Sequence, residues 1–396
     1  MTTCAEDLPG TPLPSAAHAA PPERLTETLR VLPPVVPPAA PAAAGTPRPR
    51  VRRLSVEDYV EGVRRGDRTI LARAITLIES SAPAHQTLAQ AVLRQLLPHT
   101  GKARRIGITG APGVGKSTFI EAFGCYLCRQ GLQVAVLAVD PSSNRAGGSI
   151  LGDKTRMEQL CRQPKAFIRP SPSGKTLGGV ARKTRETMLL CEAAGFDVVL
   201  VETVGVGQSE VAVRSMVDFF LLLLLPGAGD ELQGIKKGIV ENADAVLVTK
   251  ADGPLRQRAE QTRQEYATAL HYLAPATPPW KTPVAACSAL TGEGIPAVWD
   301  MIQNFYALLE PAGILRQLRQ EQSRQWLADL IREELEARFY RLPGMAAARA
   351  RLEAALLRGE ITAPQAAQEL LALAEAPAGR STAPSSPSHG KNEHYD

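Results

Sequence analysis

The chain has 396 residues, 44% of them hydrophobic, 21% charged and 5% aromatic, with a formal net charge of +5. That length suits a nucleotide-sized domain with helical additions, and a small positive excess with no basic stripe interleaved with aromatics argues against nucleic acid as a partner. The six cysteines (Cys4, Cys125, Cys128, Cys161, Cys191 and Cys287) show no framework spacing and follow no secretory signal, which predicts reduced thiols in a cytoplasmic protein.

Residues 1–53 form a leader rich in Pro and Ala. Proline removes backbone donors, so this stretch is expected to stay disordered or polyproline-like. Acidic residues such as Glu6, Asp7, Glu23 and Glu27 argue against a targeting helix. Residues 54–100 read as a helical segment. Tyr59, Val60 and Val63, then Ile70, Leu71, Ala74, Ile75 and Ile78, recur at helical spacing, with a break at Gly66-Asp67. A further apolar stripe carries Leu88, Val92, Leu93, Leu96 and Leu97.

Residues 101–300 alternate short β-rich runs with helical patterns. The strand candidates are 105–109, 133–139, 166–169, 197–202, 219–225, 245–249 and 284–287. This alternation predicts an α/β fold, a doubly wound and mostly parallel sheet with helices on both faces. The apolar run 219–225 is far shorter than the ~20 residues that cross a bilayer; a strand buried on both faces explains it. Cys125 and Cys128 fall inside a predicted helix and read as packing residues. Residues 301–376 read as helices, with Leu315, Leu318, Trp326, Leu330 and Phe339 among the apolar positions of the longest, and 377–396 as a polar disordered tail.

Within the α/β region, Gly110-Ala111-Pro112-Gly113-Val114-Gly115-Lys116-Ser117 follows a strand and precedes a helix predicted to begin at Thr118. This is the phosphate-loop pattern. Glycines let backbone N–H groups turn towards phosphate oxygens, and the helix N-terminus adds a favourable dipole. Lys116 is expected on the β- and γ-phosphates and Ser117 on magnesium. Downstream, Thr249-Lys250-Ala251-Asp252 also follows a strand. A carboxylate at Asp252 can accept from both N1–H and the N2 amino group of guanine. Adenine would leave it unpaired, at about 1–3 kcal/mol or more. Lys250 is expected to lie over the ring plane. Thr249 stands where Asn is commoner, which predicts the loss of a supporting hydrogen bond. Ser288-Ala289-Leu290 resembles a second guanine loop, whose backbone N–H reaches O6.

For hydrolysis, Asp140 and Glu202 each end an apolar strand on the side where such sheets bind ligands. Together with Asp153 they are candidate magnesium or water-positioning groups, and Gly205 is placed to offer its N–H to the γ-phosphate. Lys154, Arg156, Lys236 and Lys237 are candidate cations for the charge that spreads over the γ-phosphate.

With these motifs in place the chain resembles the MeaB/ArgK family of GTPases across residues 56–373. The specific signatures are residues 72–80, 107–119, 139–143, 147–157, 201–210 and 234–238. The resemblance implies a nucleotide-binding core with helical extensions and a homodimer through the C-terminal helices. It implies GTP hydrolysis that times adenosylcobalamin loading and protects a cobalamin-dependent acyl-CoA mutase, typically methylmalonyl-CoA mutase. It makes Asp140, Asp153 and Glu202 magnesium-site or switch residues. It also makes residues 229–239 a mobile switch in which Asp230 and Lys236 are partners. Three other readings remain: a nickel-insertion GTPase, disfavoured by six unclustered His; a transport-system kinase, disfavoured by Asp252; and a nucleotide-gated scaffold with negligible turnover.

Overall fold

A computed structural model describes residues 54–139, 157–170, 177–203, 209–227 and 237–375. The predicted leader and tail, Asp140, Asp153, Lys154, Arg156, Gly205, Asp230 and Lys236 lie outside the described residues.

Three helices come first: α1 (Val56–Arg64), α2 (Arg68–Glu79) and α3 (Pro83–Leu96). Ser55 and Asp58 close a reciprocal capping box on α1, and Asp67 caps α2 through the N–H groups of Thr69 and Ile70. Gly66, at φ +72°, makes the left-handed turn between them.

The middle of the chain follows the order β1 (Arg104–Gly110), α4 (Lys116–Arg129), β2 (Val134–Val139), α5 (Glu158–Cys161), β3 (Ala166–Arg169), α6 (Leu177–Ala193), β4 (Val198–Thr203) and α7 (Ser209–Arg214). After it come β5 (Phe219–Leu224), α8 (Lys237–Glu241), β6 (Ala245–Val248), α9 (Arg256–Leu270) and β7 (Val284–Ala286). The strands form one seven-stranded sheet in the order β3-β2-β4-β1-β5-β6-β7. Every pairing among the described residues is parallel, so the sheet is more uniform than "mostly parallel" anticipates. Four helices complete the described chain: α10 (Ile295–Leu309), α11 (Ile314–Tyr340), α12 (Met345–Leu357) and α13 (Ala363–Glu375).

Alternation along the strands sends side chains to both faces of the sheet, where three apolar clusters form, the third joining Leu222, Leu224, Val246 and Val248 to Ala259 and Tyr266 of α9. Ile106, Ile108, Val198, Leu200, Phe219 and Leu221 join Phe119, Ile120 and Phe123 of α4 and Trp299, Ile302 and Phe305 of α10. Val199, Val201 and Phe220 face the other way, towards α1–α3 and α6. All six residues of β5 are buried, as expected for a strand covered on both faces. Cys125, Cys128 and Cys287 pack in the first core and Cys191 in the second, while Cys161 is exposed. No helix among the described residues is long and apolar enough to cross a membrane.

One charged cluster clamps the amino ends of the central strands to the C-terminal helices. Asp218, fully buried, accepts from the Arg105 backbone N–H (3.0 Å), the Tyr306 hydroxyl (2.8 Å) and Arg319 (2.7 Å to each carboxylate oxygen). Burial alone would raise its carboxyl pKa, but the Arg319 hydrogen bonds and charge outweigh burial and hold it below the ordinary value. Arg319 also donates to the carbonyls of Gly101 and Ala103, tying α11 to the segment that enters β1.

Candidate nucleotide-binding site

The sheet order reverses direction around β1: the chain runs outwards on one side through β2 and β3, returns to β4, then crosses to β5. In doubly wound sheets the crevice at such a switch point, beyond the carboxyl ends of the strands, receives the ligand. The Gly110–Ser117 loop leaves β1 there.

Backbone geometry explains the glycines of this loop. A Cβ on Gly110 would stand 2.6 Å from the Leu223 carbonyl oxygen of the neighbouring strand. Gly115, at φ +97°, occupies the N-cap of α4 in a left-handed conformation, and no side chain caps that helix. Its first N–H groups thus remain available to an anion. The helix begins at Lys116, two residues earlier than the apolar pattern predicts, because the left-handed glycine permits an abrupt turn into it.

Lys116 is mostly buried, and its ammonium donates to the carbonyls of Gly110 (2.8 Å) and Ala111 (3.1 Å). Burial pulls its pKa below the ordinary lysine value, and the Glu202 and Glu210 carboxylates act against that shift. The Ser117 hydroxyl donates to Glu202 Oε1 (2.9 Å), which joins the start of α4 to the end of β4. One step on, the Thr203 hydroxyl donates to that of Thr109 (2.9 Å) beneath the loop. Ala111, Pro112, Gly113 and Thr118 are exposed, while Val114 is buried as the anchor of the loop.

The predicted base-reading loops meet the phosphate loop from the side of β6 and β7. Thr249, buried at the end of β6, places its hydroxyl 2.8 Å from the Val114 carbonyl and 3.1 Å from that of Leu224. Thr249 thus keeps a hydrogen bond to the loop backbone through its own hydroxyl. Lys250, a non-glycine residue at φ 55°, donates to the Gly113 carbonyl (3.1 Å) and so runs across the loop. The Ser288 hydroxyl donates to Asp252 Oδ2 (2.5 Å) and accepts from the Thr291 N–H (3.2 Å). Asp252 is thereby oriented by the second loop. Ala289 is half-buried beside Ser288, and the Leu290 side chain is 81% exposed, so that residue has only its backbone to offer inwards.

Separate hydrogen bonds thus tie Lys116 to Gly110 and Ala111, Ser117 to Glu202, Thr249 to Val114, Lys250 to Gly113 and Ser288 to Asp252 at one end of the sheet. Glu210 of α7 was missed by motif reading. It is buried, acts electrostatically on Lys116, and leaves Oε2 without a hydrogen-bond partner among the described residues. No spacing rule marks it, because it is one acid beyond a glycine-rich stretch.

The donors brought together here are hard oxygen: the Ser117 hydroxyl and the Glu202 carboxylate. Such donors fit magnesium. No group of three or more His, Cys, Asp or Glu able to hold a metal occurs among the described residues.

Residues 71–343 match the family described as methylmalonyl Co-A mutase-associated GTPase MeaB. The chain belongs to this family. A protein of Caulobacter vibrioides is 55% identical over 319 residues, spanning 81% of this chain and 98% of its own length. GTPase ArgK of Escherichia coli is 50% identical over 72% of this chain and 86% of its own. A crystal structure of a LAO/AO transport system kinase shares 39% identity at a TM-score of 0.66, covering 82% of this chain and 99% of that one. The mouse methylmalonic aciduria type A homolog, named as mitochondrial, is 46% identical over 80% of this chain and 79% of its own. As a MeaB/ArgK-family protein the chain is a GTP hydrolase that binds guanine nucleotide, built on a parallel α/β sheet.

Proposed function

We propose that this MeaB-family GTPase is a chaperone whose GTP cycle governs adenosylcobalamin loading and protection of an acyl-CoA mutase, with methylmalonyl-CoA mutase as the client. The carrying observation is the match of residues 71–343 to a family described by its association with that mutase. The name of the mouse relative supports the same metabolic setting.

In this reading Lys116 leaves the loop carbonyls for the β- and γ-phosphates, and the N–H groups of residues 110–118 surround them. Magnesium, when bound, neutralises developing charge between the phosphates. Ser117 would hold it, with Glu202 bracing that hydroxyl and Asp140 and Asp153 completing the switch groups. Gly205 and Lys236 serve the γ-phosphate. Asp252, steadied by Ser288, accepts from guanine. The Ser288 N–H is committed to the Glu293 carbonyl (2.9 Å), so O6 falls to the N–H of Ala289.

A homodimer through the C-terminal helices belongs to the same proposal. Leu327, Ile331 and Leu335 of α11 are 60%, 51% and 61% exposed and fall on one stripe at four-residue spacing. An apolar stripe of that kind suits a helical partner.

The decisive experiment measures GTP turnover of the full chain alone and with methylmalonyl-CoA mutase. Slow basal hydrolysis that rises on adding mutase is the expected result. Turnover unchanged by mutase counts against the chaperone reading, and no turnover with any partner favours a scaffold. The kinase reading predicts phosphate transfer from ATP to a protein, which the same assay with labelled ATP detects.

A further inference from the structure

Among the described residues, two carboxylates, Glu202 and Glu210, bear on the Lys116 ammonium. The ammonium already serves two loop carbonyls, and Glu202 already serves Ser117. Glu210 is 5% exposed, and its Oε2 meets no donor among the described residues. An unmet buried carboxylate oxygen is costly. Folded proteins retain one chiefly where a function accounts for it.

The position of Glu210 points to that function. It lies in the first turn of α7, and the preceding strand β4 ends at Thr203 with Glu202 beside it. β4 pairs with β1, which feeds the phosphate loop. Among the described residues, Glu202 and Glu210 set two negative charges against the Lys116 ammonium at the phosphate end of the crevice. A nucleotide tail without a cation therefore meets repulsion, strengthened by partial burial. A hydrated divalent cation reverses that balance and brings water O–H donors, which an acceptor-only oxygen requires.

We propose that Glu210 is a positioning residue that makes nucleotide binding depend on a divalent cation, by accepting a hydrogen bond from the cation's water shell and repelling a bare phosphate tail. The proposal rests on the reading that magnesium accompanies the nucleotide. It assigns Glu210 an outer contact and leaves direct ligation to Ser117 and the phosphates.

The alternative is that Glu210 merely balances the charge of Lys116. The two differ in one measurable ratio: the affinity of the full chain for GDP in excess magnesium over that in EDTA, read by calorimetry. In the wild type the ratio is expected to be well above one. Glu210→Gln keeps the shape and removes the charge, and should cut the ratio roughly five- to ten-fold, mainly through tighter binding in EDTA. Glu210→Asp keeps the charge and should retain most of the ratio. If Glu210 only balances Lys116, the Gln variant weakens GDP equally in both conditions and the ratio stays put, which overturns the inference. A Gln variant that loses its circular dichroism signal also overturns it, since the carboxylate would then be structural. A wild-type ratio of one removes the magnesium reading itself. A wild-type ratio above one with an unchanged Gln variant removes only the role of Glu210.

Discussion

The two ends of the same parallel sheet treat buried charge in opposite ways. At the amino end Asp218 accepts four hydrogen bonds from Arg105, Tyr306 and Arg319, and its charge is matched by a guanidinium. At the carboxyl end Lys116 leans on loop carbonyls, Glu202 meets a serine, and Glu210 keeps an oxygen unmet. A satisfied network holds elements in register. An unsatisfied one awaits a ligand, and the fold retains it because packing elsewhere provides stability.

Neutralising Asp218 should have the largest effect. Asp218→Asn leaves Arg319 without its counter-charge, and breaking a buried pair in this way costs about 3–5 kcal/mol. Urea unfolding should show that loss while GDP affinity, measured where the variant is folded, stays within a few-fold. The pH dependence has a definite sign. The native carboxyl is held below its ordinary value, so its contribution is fully present above about pH 4 and fades as pH falls through the lowered native value. The Asn variant should lack that component of acid unfolding. A wild type and variant with parallel stability–pH curves below pH 4 would break the comparison from the structural side.

Lys116→Ala tests the opposite end. In the proposed reading it removes the cation that moves onto the β- and γ-phosphates, with an expected loss of about 100- to 1,000-fold in turnover. Stability should change little or rise, because a partly buried charge disappears. Single-turnover hydrolysis together with the melting temperature checks both halves. A variant that hydrolyses normally but melts early would make Lys116 another structural charge and erase the distinction.

How much of this was legible before folding follows the same division. The apolar strands, the phosphate loop and the T-K-A-D segment are local patterns, and the structure has strands and loops at those places within one or two residues. The Asp218 hydrogen bonds unite residues 88 to 113 positions apart, such as Arg319 with Asp218 at 101. No periodicity announces a pairing of that span. Arg105, Tyr306 and Arg319 each read as one more polar residue on an amphipathic element. Glu210 was hidden for a different reason: its meaning lies in a missing partner, which only three-dimensional neighbours disclose. Thr249 shows a third kind of limit. The residue type suggested a lost bond, yet its hydroxyl reaches the Val114 carbonyl 135 positions away.

Asp252→Asn sharpens the comparison at the base-reading edge. The amide can donate to O2 of xanthine but accepts poorly from both guanine donors. Guanine affinity should fall by about 1–3 kcal/mol, roughly five- to 150-fold, and xanthosine triphosphate should become the better ligand. Competition binding with the two triphosphates measures the exchange, and an unchanged preference would remove Asp252 from its assigned role.

The smallest expected effect is the most discriminating. Thr249→Val keeps volume and branching and deletes one hydroxyl. Its partner at Leu224 already accepts from the Thr249 N–H (2.9 Å), so only the Val114 carbonyl loses its tie. A single buried hydrogen bond of this kind is worth about 1 kcal/mol. If the tie were purely structural, that cost would appear in the melting curve alone. If it sets the phosphate loop against the base loop, GDP should weaken about five-fold, because one rigid ligand must then span two loops no longer held in register. Inorganic pyrophosphate, which needs only the phosphate loop, should bind the variant and the wild type equally. Equal weakening of both ligands would mean that Thr249 shapes the phosphate loop itself, and that the two loops are one unit rather than two joined by a hydroxyl.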